Sequence, residues 1–366
     1  MSDGGARDAT REAAVLDRIE AFRRRAPRLR EERVTLAHGA GGKSSAALVE
    51  TVFLPAFQPG DAPADLADAA VLPAAGDERL AFTTDAYVVR PLRFPGGSVG
   101  HLAVHGTIND LAMVGARPLA LSAAFVLEEG LPLDVLRDVV ADMAQAAARA
   151  GVPIVAGDTK VVDAGAADSL FVTTSGVGAV PAGRTLAASQ VAAGDVVLVS
   201  GPIAEHGVAV MLARGDLAIE ADVRSDTAPL HGLVETLLAA APGTRWLRDA
   251  TRGGVGTVCN ELARDCDLTV VLDEARLPVR PVVAGACELL GIDPLYVANE
   301  GRFVAVVPPG QADDALAALR GHPLGREAVT VGEIRSEPKG IVVLVTALGG
   351  TRIVDMLVGD PLPRIC

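Results

Sequence analysis

A glycine-rich loop, several aspartates at the ends of elements, one glutamate and a terminal thiol are the residues of this chain best suited to chemistry. "LAHGAGGKSS" sets Gly39, Gly41, Gly42 and Lys43 between a short strand over 34–36 and a helix over 45–57. Such a loop can aim backbone N–H groups and a helix N-terminus at a phosphate. Read from Ala37 it falls one glycine short of the P-loop pattern, so a glycine loop without a ligand competes with the phosphate reading. "AFTTDAY" runs an apolar strand into Asp85, and "GTINDLAMVGARP" opens a helix with Asn109 and Asp110. "VPIVAGDTKVV" ends a buried strand at Asp158, and "LRDATRGGVG" puts Asp249 at a helix start. A single Asp in such a place is commonly an N-cap or turn residue. Several that converged would repel one another unless divalent cations stood between them, and Mg²⁺ shared with a nucleotide triphosphate is the usual remedy. Only three lysines occur, and two of them, Lys43 and Lys160 of "GDTK", stand beside these motifs, where a compact ammonium suits a phosphate. In "LYVANEGRFVAVV", Glu300 is either a hairpin-turn residue or a base on a rigid support. The chain ends "PLPRIC", and a tail is the least useful place to bury the thiol of Cys366.

The elements that must position these residues alternate. Strands at "RLAFTTD", "VPIVAGD" and "SLFVTTSGVGAV" are interleaved with helices such as "LPLDVLRDVVADMAQAAARAG", bounded by its leading Pro and trailing Gly. A second passage of the same kind opens at "AAGDVVLVSGPIAEHGVAVML" and closes near "GIVVLVTALGG". The pattern predicts a mixed α/β fold in two domains, 34–185 and 186–350, with the boundary in the Pro- and Gly-bearing stretch 181–194. Residues 1–33 read as a charged, loosely docked extension, and 351–366 as a flexible tail kept extended by Pro361 and Pro363.

Composition excludes some classes. At 366 residues and 50% hydrophobic, the chain can bury a full core; a net charge of -13 argues against a nucleic-acid or anionic-membrane surface. Cys259, Cys266 and Cys287 have the helical phase of reduced core thiols, and no CxxC or zinc spacing is present. The six histidines show no metal-ligand spacing, although His101 and His105 share a helix face. With no membrane-spanning run and no signal-peptide core, a cytoplasmic protein is expected.

Taken in order, "LAHGAGGK", "AFTTDAYVV", "PLRFPGGSVGHLAVHGTINDLAMVGARP", "FVLEEGLP", "VAGDTKVV", "RDATRGGV", "ANEG" and the terminal "PLPRIC" resemble the HypE family of hydrogenase maturation factors. These are carbamoyl dehydratases of the PurM-like superfamily, and the likeness runs over about 34–366. The resemblance implies a PurM-like two-domain fold with an N-terminal domain that forms a homodimer through its sheet, and ATP with Mg²⁺ in the cleft. It implies Asp85, Asp110, Asp158 and Asp249 as metal or phosphate-site residues, Asn109 and Thr159 beside them, and Lys43 and Lys160 near the phosphates. A carbamoyltransferase, HypF, would load Cys366; the chain would use ATP to dehydrate the S-carboxamide to a thiocyanate, with Glu300 as base, and pass the nitrile to iron on a HypC–HypD scaffold. Three features depart from the family pattern: His105 where a small residue or Cys is expected, Arg302 where Lys is common, and residues 1–33. Two alternatives stay open, an ordinary P-loop NTPase and a non-catalytic carrier of a carbamoyl group or metal on Cys366.

Overall fold

The computed structural model describes residues 43–53, 69–73, 79–215, 221–357 and 364–366. The extension 1–33 and the loop glycines Gly39, Gly41 and Gly42 lie outside the described residues.

The N-terminal half begins with a short helix, α1 (Lys43–Leu48), and builds a five-stranded sheet from β1 (Ala70–Pro73), β2 (Arg79–Tyr87), β5 (Arg117–Glu128), β6 (Ile154–Val162) and β7 (Leu170–Val180). The strand order is β1-β2-β7-β5-β6; β5 and β6 are parallel and the remaining pairs antiparallel. A two-residue ribbon, β3 (Arg93–Phe94) with β4 (Gly97–Ser98), leads into α2 (Val99–Met113), and α3 (Leu133–Ala150) follows β5. Pro132 precedes α3 and Gly151, at φ 68°, stops it, as the sequence leads one to expect. Alternation in "RLAFTTDAY" decides which side of the sheet is covered: Ala81, Thr83 and Tyr87 turn to α2, while Leu80, Phe82 and Thr84 stay exposed. α2 is buried almost all round, and its glycines permit that, since a Cβ on Gly106 would collide with the Tyr87 hydroxyl.

The C-terminal half holds a seven-stranded sheet in the order β14-β13-β10-β12-β8-β11-β9 among the described residues. Its strands are β8 (Val196–Val199), β9 (Trp246–Asp249), β10 (Thr269–Asp273), β11 (Phe303–Val307), β12 (Val329–Arg335), β13 (Val342–Val345) and β14 (Thr351–Val354), and its helices are α4 (Glu205–Arg214), α5 (His231–Ala240), α6 (Gly254–Cys266), α7 (Pro281–Leu290) and α8 (Ala312–Gly321). The runs "VVLV" and "FVAVV" are apolar without alternation because both faces are covered. Val197, Val199, Val304 and Val306 join a core with Val255, Val258 and Leu262 of α6. Leu198, Phe303, Ala305 and Val307 join another with Leu233 and Leu237 of α5 and Leu319 of α8.

Several local expectations change. Asn109 and Asp110 do not open a helix; α2 starts at Val99 and they fall near its end, because the apolar run from Val99 propagates the helix early. "LYVANEG" is not a strand and hairpin: Pro294–Tyr296 forms a 3₁₀ turn, and 297–301 cross irregularly into β11. Asp158 does not end a buried strand, since β6 continues to Val162 as an exposed edge. Asp249 ends β9, and α6 begins five residues later at Gly254. The tail does not begin at 351, because β14 pairs with β13 and closes the second sheet.

Candidate active site

The covered face of β2 and the end of β9 bring a set of acidic groups together. Asp85 shares the inward parity of Thr83 and Tyr87 on β2. The Tyr87 hydroxyl donates to Asp85 Oδ2 at 3.0 Å, and Thr83 Oγ1 donates to Asp110 Oδ2 of the overlying α2 at 2.7 Å. Across the domain junction, Asp249 pairs in register with Phe303, which places it beside the approach to β11 that carries Glu300. Glu300 is 3% exposed, and its Oε1 is buried with no hydrogen-bond partner among the described residues. Burial, followed by the charges of Asp249, Asp226 and Asp85, pushes the Glu300 carboxyl well above the ordinary carboxylate range; Arg252 opposes them. The Tyr87 hydroxyl is raised for the same reasons, burial first and then Asp85, Asp110 and Glu300.

Two members of this cluster were not singled out in the sequence. Asp226 is buried, and its carboxylate accepts from the Glu300 N–H at 3.0 Å and the Gly301 N–H at 3.2 Å, which fixes the backbone that presents Glu300. Gly301 is required there, since a Cβ would run into the Asp226 carbonyl. Nothing in "RSDTAP" distinguishes Asp226 from a loop residue, because its partners lie about 75 positions away. Arg252, in "DATRGG", is a cation set among acids: its guanidinium is raised chiefly by the negative charge of Cys366, and also by Asp85 and Glu300, against the effect of burial. Its place between a strand end and the glycines of a helix start was the available signal.

The terminal residues sit in this same cleft. Val88 N–H donates to Cys366 O at 3.1 Å and Arg90 N–H donates to Arg364 O at 3.2 Å, so 364–366 run back alongside 88–90, just beyond the end of β2. Ile365 is 3% exposed, in the core cluster that holds Phe94, Val208 and Ala298, and Cys366 packs against that cluster. The His206 ring donates through Nε2 to Ile365 O at 2.7 Å; Arg214 donates to Arg364 O, and Arg364 pairs with Asp168. The other thiols differ. Burial pushes Cys259 up to about 12 and Cys287 up to about 11, and raises Cys266, so none of them is a nucleophile near neutral pH.

Not every expected site residue joins the cluster. Asp158 and Lys160 pair with Ala124 and Val126 across β5, which share the outward parity of the sheet, so both project from the face opposite Asp85. There Lys160 Nζ meets Asp158 Oδ2 at 2.8 Å in an exposed pair, and Thr159 N–H donates to Asp158 Oδ1 at 2.8 Å. Within one chain, then, Lys160 is not a group of the Cys366 cleft, and Asp158 is not a fourth member of the Asp85, Asp110 and Asp249 set. Asn109 is buried with both ends of its amide on main chain: Nδ2 donates to Ala228 O at 3.1 Å and more weakly to Glu300 O at 3.4 Å, and Oδ1 accepts from Leu230 N–H at 2.7 Å. It clamps the two domains together, because its helix faces the segment that leads to α5. Lys43 pairs with Asp355 at 3.2 Å. His105, the unexpected residue in "HGTIND", is buried, shares a 3.0 Å hydrogen bond with Thr227, and is pushed down to about 3 by burial, so it is neutral. Among the described residues no three His, Cys, Asp or Glu side chains stand close enough to hold a metal ion by themselves.

Comparison with known proteins fits this arrangement. The family model for the AIR synthase related protein N-terminal domain matches residues 66–180, and that for the C-terminal domain matches 192–345. The carbamoyl dehydratase HypE of Rhodobacter capsulatus is 55% identical over 92% of this chain and 99% of its own length. A HypE in a HypE–HypF complex superposes with a TM-score of 0.80 at 43% identity, covering 85% of this chain and all of that one, 100%. A hydrogenase maturation protein HypE in complex with ATP superposes with a TM-score of 0.76 at 44% identity, covering 91% of this chain and 100% of that one. With both AIR synthase related domains present and a carbamoyl dehydratase matched along almost its entire length, this chain belongs to the HypE family of carbamoyl dehydratases.

Proposed function

We infer that this chain uses ATP to dehydrate a carbamoyl group carried on its own Cys366, giving a thiocyanate that supplies the cyanide ligand of nickel–iron hydrogenase. The observation that carries this reading is the docking of Cys366 in the cleft where Glu300 lies buried with an unpartnered oxygen. A carboxamide is a poor source of nitrile because water leaves badly. Transfer of the γ-phosphoryl group of ATP to the carboxamide oxygen turns that oxygen into phosphate; the C–O bond then breaks as the nitrogen loses its two protons, and the products are thiocyanate, ADP and phosphate. Glu300 is the base in its ionised form, which the raised carboxyl makes a ready proton acceptor, and Asp226 holds it through its own N–H and that of Gly301. Arg252 faces the charge that develops beside Cys366 and draws the Glu300 carboxyl toward its ionised, proton-accepting form.

Asp85, Asp110 and Asp249 offer the hard oxygen donors that Mg²⁺ prefers, and gathered around Tyr87 and the orphaned Glu300 oxygen they would hold the ion together with phosphate oxygens, since they form no closed protein cage. Magnesium would neutralise charge on the phosphates there. Gly39, Gly41, Gly42 and Lys43 would bind the phosphates, as their sequence pattern suggests. Asp158, Thr159 and Lys160 belong to a second copy's site: the uncovered sheet face of Leu80, Phe82 and Val126 is the homodimer surface, and Asp158 and Lys160 stand on that face. HypF, which is bound to a HypE in one of the superposed structures, is the partner that loads Cys366, and a HypC–HypD scaffold receives the nitrile. All four cysteines are free, in keeping with the reducing cytoplasm, and among the described residues no helix is long and apolar enough to cross a membrane.

The deciding experiment is intact-mass spectrometry after incubation with carbamoyl phosphate and the carbamoyltransferase, then with ATP. The expected course is gain of one carbamoyl group, then loss of one water on ATP addition, both absent in Cys366→Ala. A carbamoyl group that persists through ATP addition would leave a carrier and remove the dehydratase.

A further inference from the structure

We propose that His206 is a positioning residue that couples docking of the C-terminal tail to the placement of Glu300. The inference rests on the dehydratase reading and adds to it a link between two parts of the site. His206 is buried completely on α4, with its ring edge-on to Phe94 at 5.4 Å between centroids. Its Nε2 meets a carbonyl, Ile365 O, at 2.7 Å, and a carbonyl only accepts, so Nε2 carries the proton. In the neutral ring Nδ1 is then an acceptor, and the Ser225 hydroxyl 2.8 Å away donates to it. The same Ser225 oxygen accepts from Thr227 N–H at 3.1 Å. The residue between them is Asp226, whose carboxylate takes the N–H groups of Glu300 and Gly301. A single buried ring therefore touches the tail one residue before Cys366 and, through one hydroxyl, the turn that holds Glu300.

Direction follows from the bonding. When the tail leaves, the Nε2 proton of a fully buried imidazole loses its acceptor, and an unpaired buried donor is costly. The ring is then driven to find another partner, and a ring that turns releases Ser225. The 224–227 segment has little else to absorb such a change quietly: Ser225 N–H donates to Pro95 O at 2.8 Å, and a Cβ on Gly96 would press on Ser225 main chain at 2.7 Å. The base is thus set in place by the arrival of the tail that carries its substrate, and is less ordered while the tail is away at the carbamoyltransferase. The contact reads main chain, so it registers the presence and register of the tail and leaves recognition of the side chain to the pocket around Ile365.

Three readouts test this in the full-length protein. The first is the rate of Cys366 alkylation by iodoacetamide, followed on the C-terminal peptide. Loss of one buried hydrogen bond shifts the docked population by about three- to tenfold, so His206→Ala should alkylate faster by that factor, with His206→Gln, which keeps an N–H donor, partly restored. The second is hydrogen exchange of the peptide spanning 297–303, expected to quicken in His206→Ala and also in Ser225→Ala, which leaves the ring-to-tail bond in place. The third is the pair of partial reactions: carbamoylation by the carbamoyltransferase unchanged or faster, and ATP-dependent water loss slower, in His206→Ala. A loss confined to the second reaction does not arise from general misfolding. Alkylation and exchange need no turnover, so they separate this proposal from the reading beneath it: a wild-type protein that fails to lose water sinks the dehydratase. Unchanged exchange at 297–303 in both variants, or equal slowing of both partial reactions, overturns the coupling. Should His206→Ala not fold, Ser225→Ala alone decides the outcome through its exchange at 297–303.

Discussion

Glu300 shows how one side chain can serve reaction at the expense of stability. Its carboxyl is held well above an ordinary value of 4.5 by burial and by Asp249, Asp226 and Asp85. Because the folded state keeps this proton when the unfolded chain has released it, the native state is favoured fully only below about pH 4.5 and loses stability as pH rises toward the raised value. Glu300→Gln removes that titration. Thermal melts should show the variant level with wild type at acid pH and progressively more stable than it as pH rises to neutrality; parallel curves would mean that Glu300 is not held protonated. The same substitution should slow thiocyanate formation by about a hundredfold or more, the usual worth of a positioned base, while ATP still binds. Mass spectrometry of the C-terminal peptide checks the first effect and nucleotide titration the second. The identity of Glu300 as a candidate base was legible in "ANEG". Its support was not, since Asp226 and Arg252 reach it only through folding.

At the scale of elements, three residues of tail dock on the main chain that follows β2. Residues 364–366 run back alongside 88–90, held by the N–H groups of Val88 and Arg90, and Ile365 fills a core position, so this docking places Cys366 beside Arg252. A chain that continued past Cys366 would have to run on along β2 toward Tyr87 and Asp85, into space lined by acids. Two glycines appended after Cys366 should therefore leave carbamoylation intact and slow ATP-dependent water loss by about tenfold or more, through loss of the terminal charge opposite Arg252 and crowding of the cleft. Equal rates of water loss in extended and native protein would show that the site admits a continuing chain. The sequence pointed to an extended, mobile end. Its docking became visible only with Val88, Arg90 and His206 in place, because a three-residue segment has no periodicity to read.

At the scale of the molecule, a two-sided sheet separates residues that one motif list groups together. Asp85 turns to α2 and Asp158 turns away, so a single chain does not unite them. If Asp158 serves the cleft of a second copy, Asp158→Asn and Glu300→Gln should each abolish turnover, and co-folding them in equal amounts should restore about a quarter of wild-type activity, since half the dimers are mixed and each mixed dimer holds one intact site. Mixtures that stay inactive while forming mixed dimers would place Asp158 outside the partner's site. Phe82→Asp, on the exposed face, should yield a monomer by sedimentation, because a buried carboxylate without a partner costs several kcal/mol at an interface.

By itself the sequence determined the class of the fold, its two-domain order and the ordered motifs that carry the family likeness, because each of these is written in local pattern: alternation for β2, a Pro-to-Gly span for α3, unbroken apolar runs for β8 and β11. It also marked the terminal thiol as the anomaly to be explained. Tertiary structure alone decided that Asn109 clamps main chain, that Lys160 and Asp158 occupy the opposite face of the sheet, and that Asp226, Arg252 and His206 join the site. The reason is physical. Hydrogen bonds and charges act over a few ångströms of space, and the partners of Glu300 and Ile365 lie roughly 75 and 159 residues away along the chain, a separation that only the packing of one domain against the other removes.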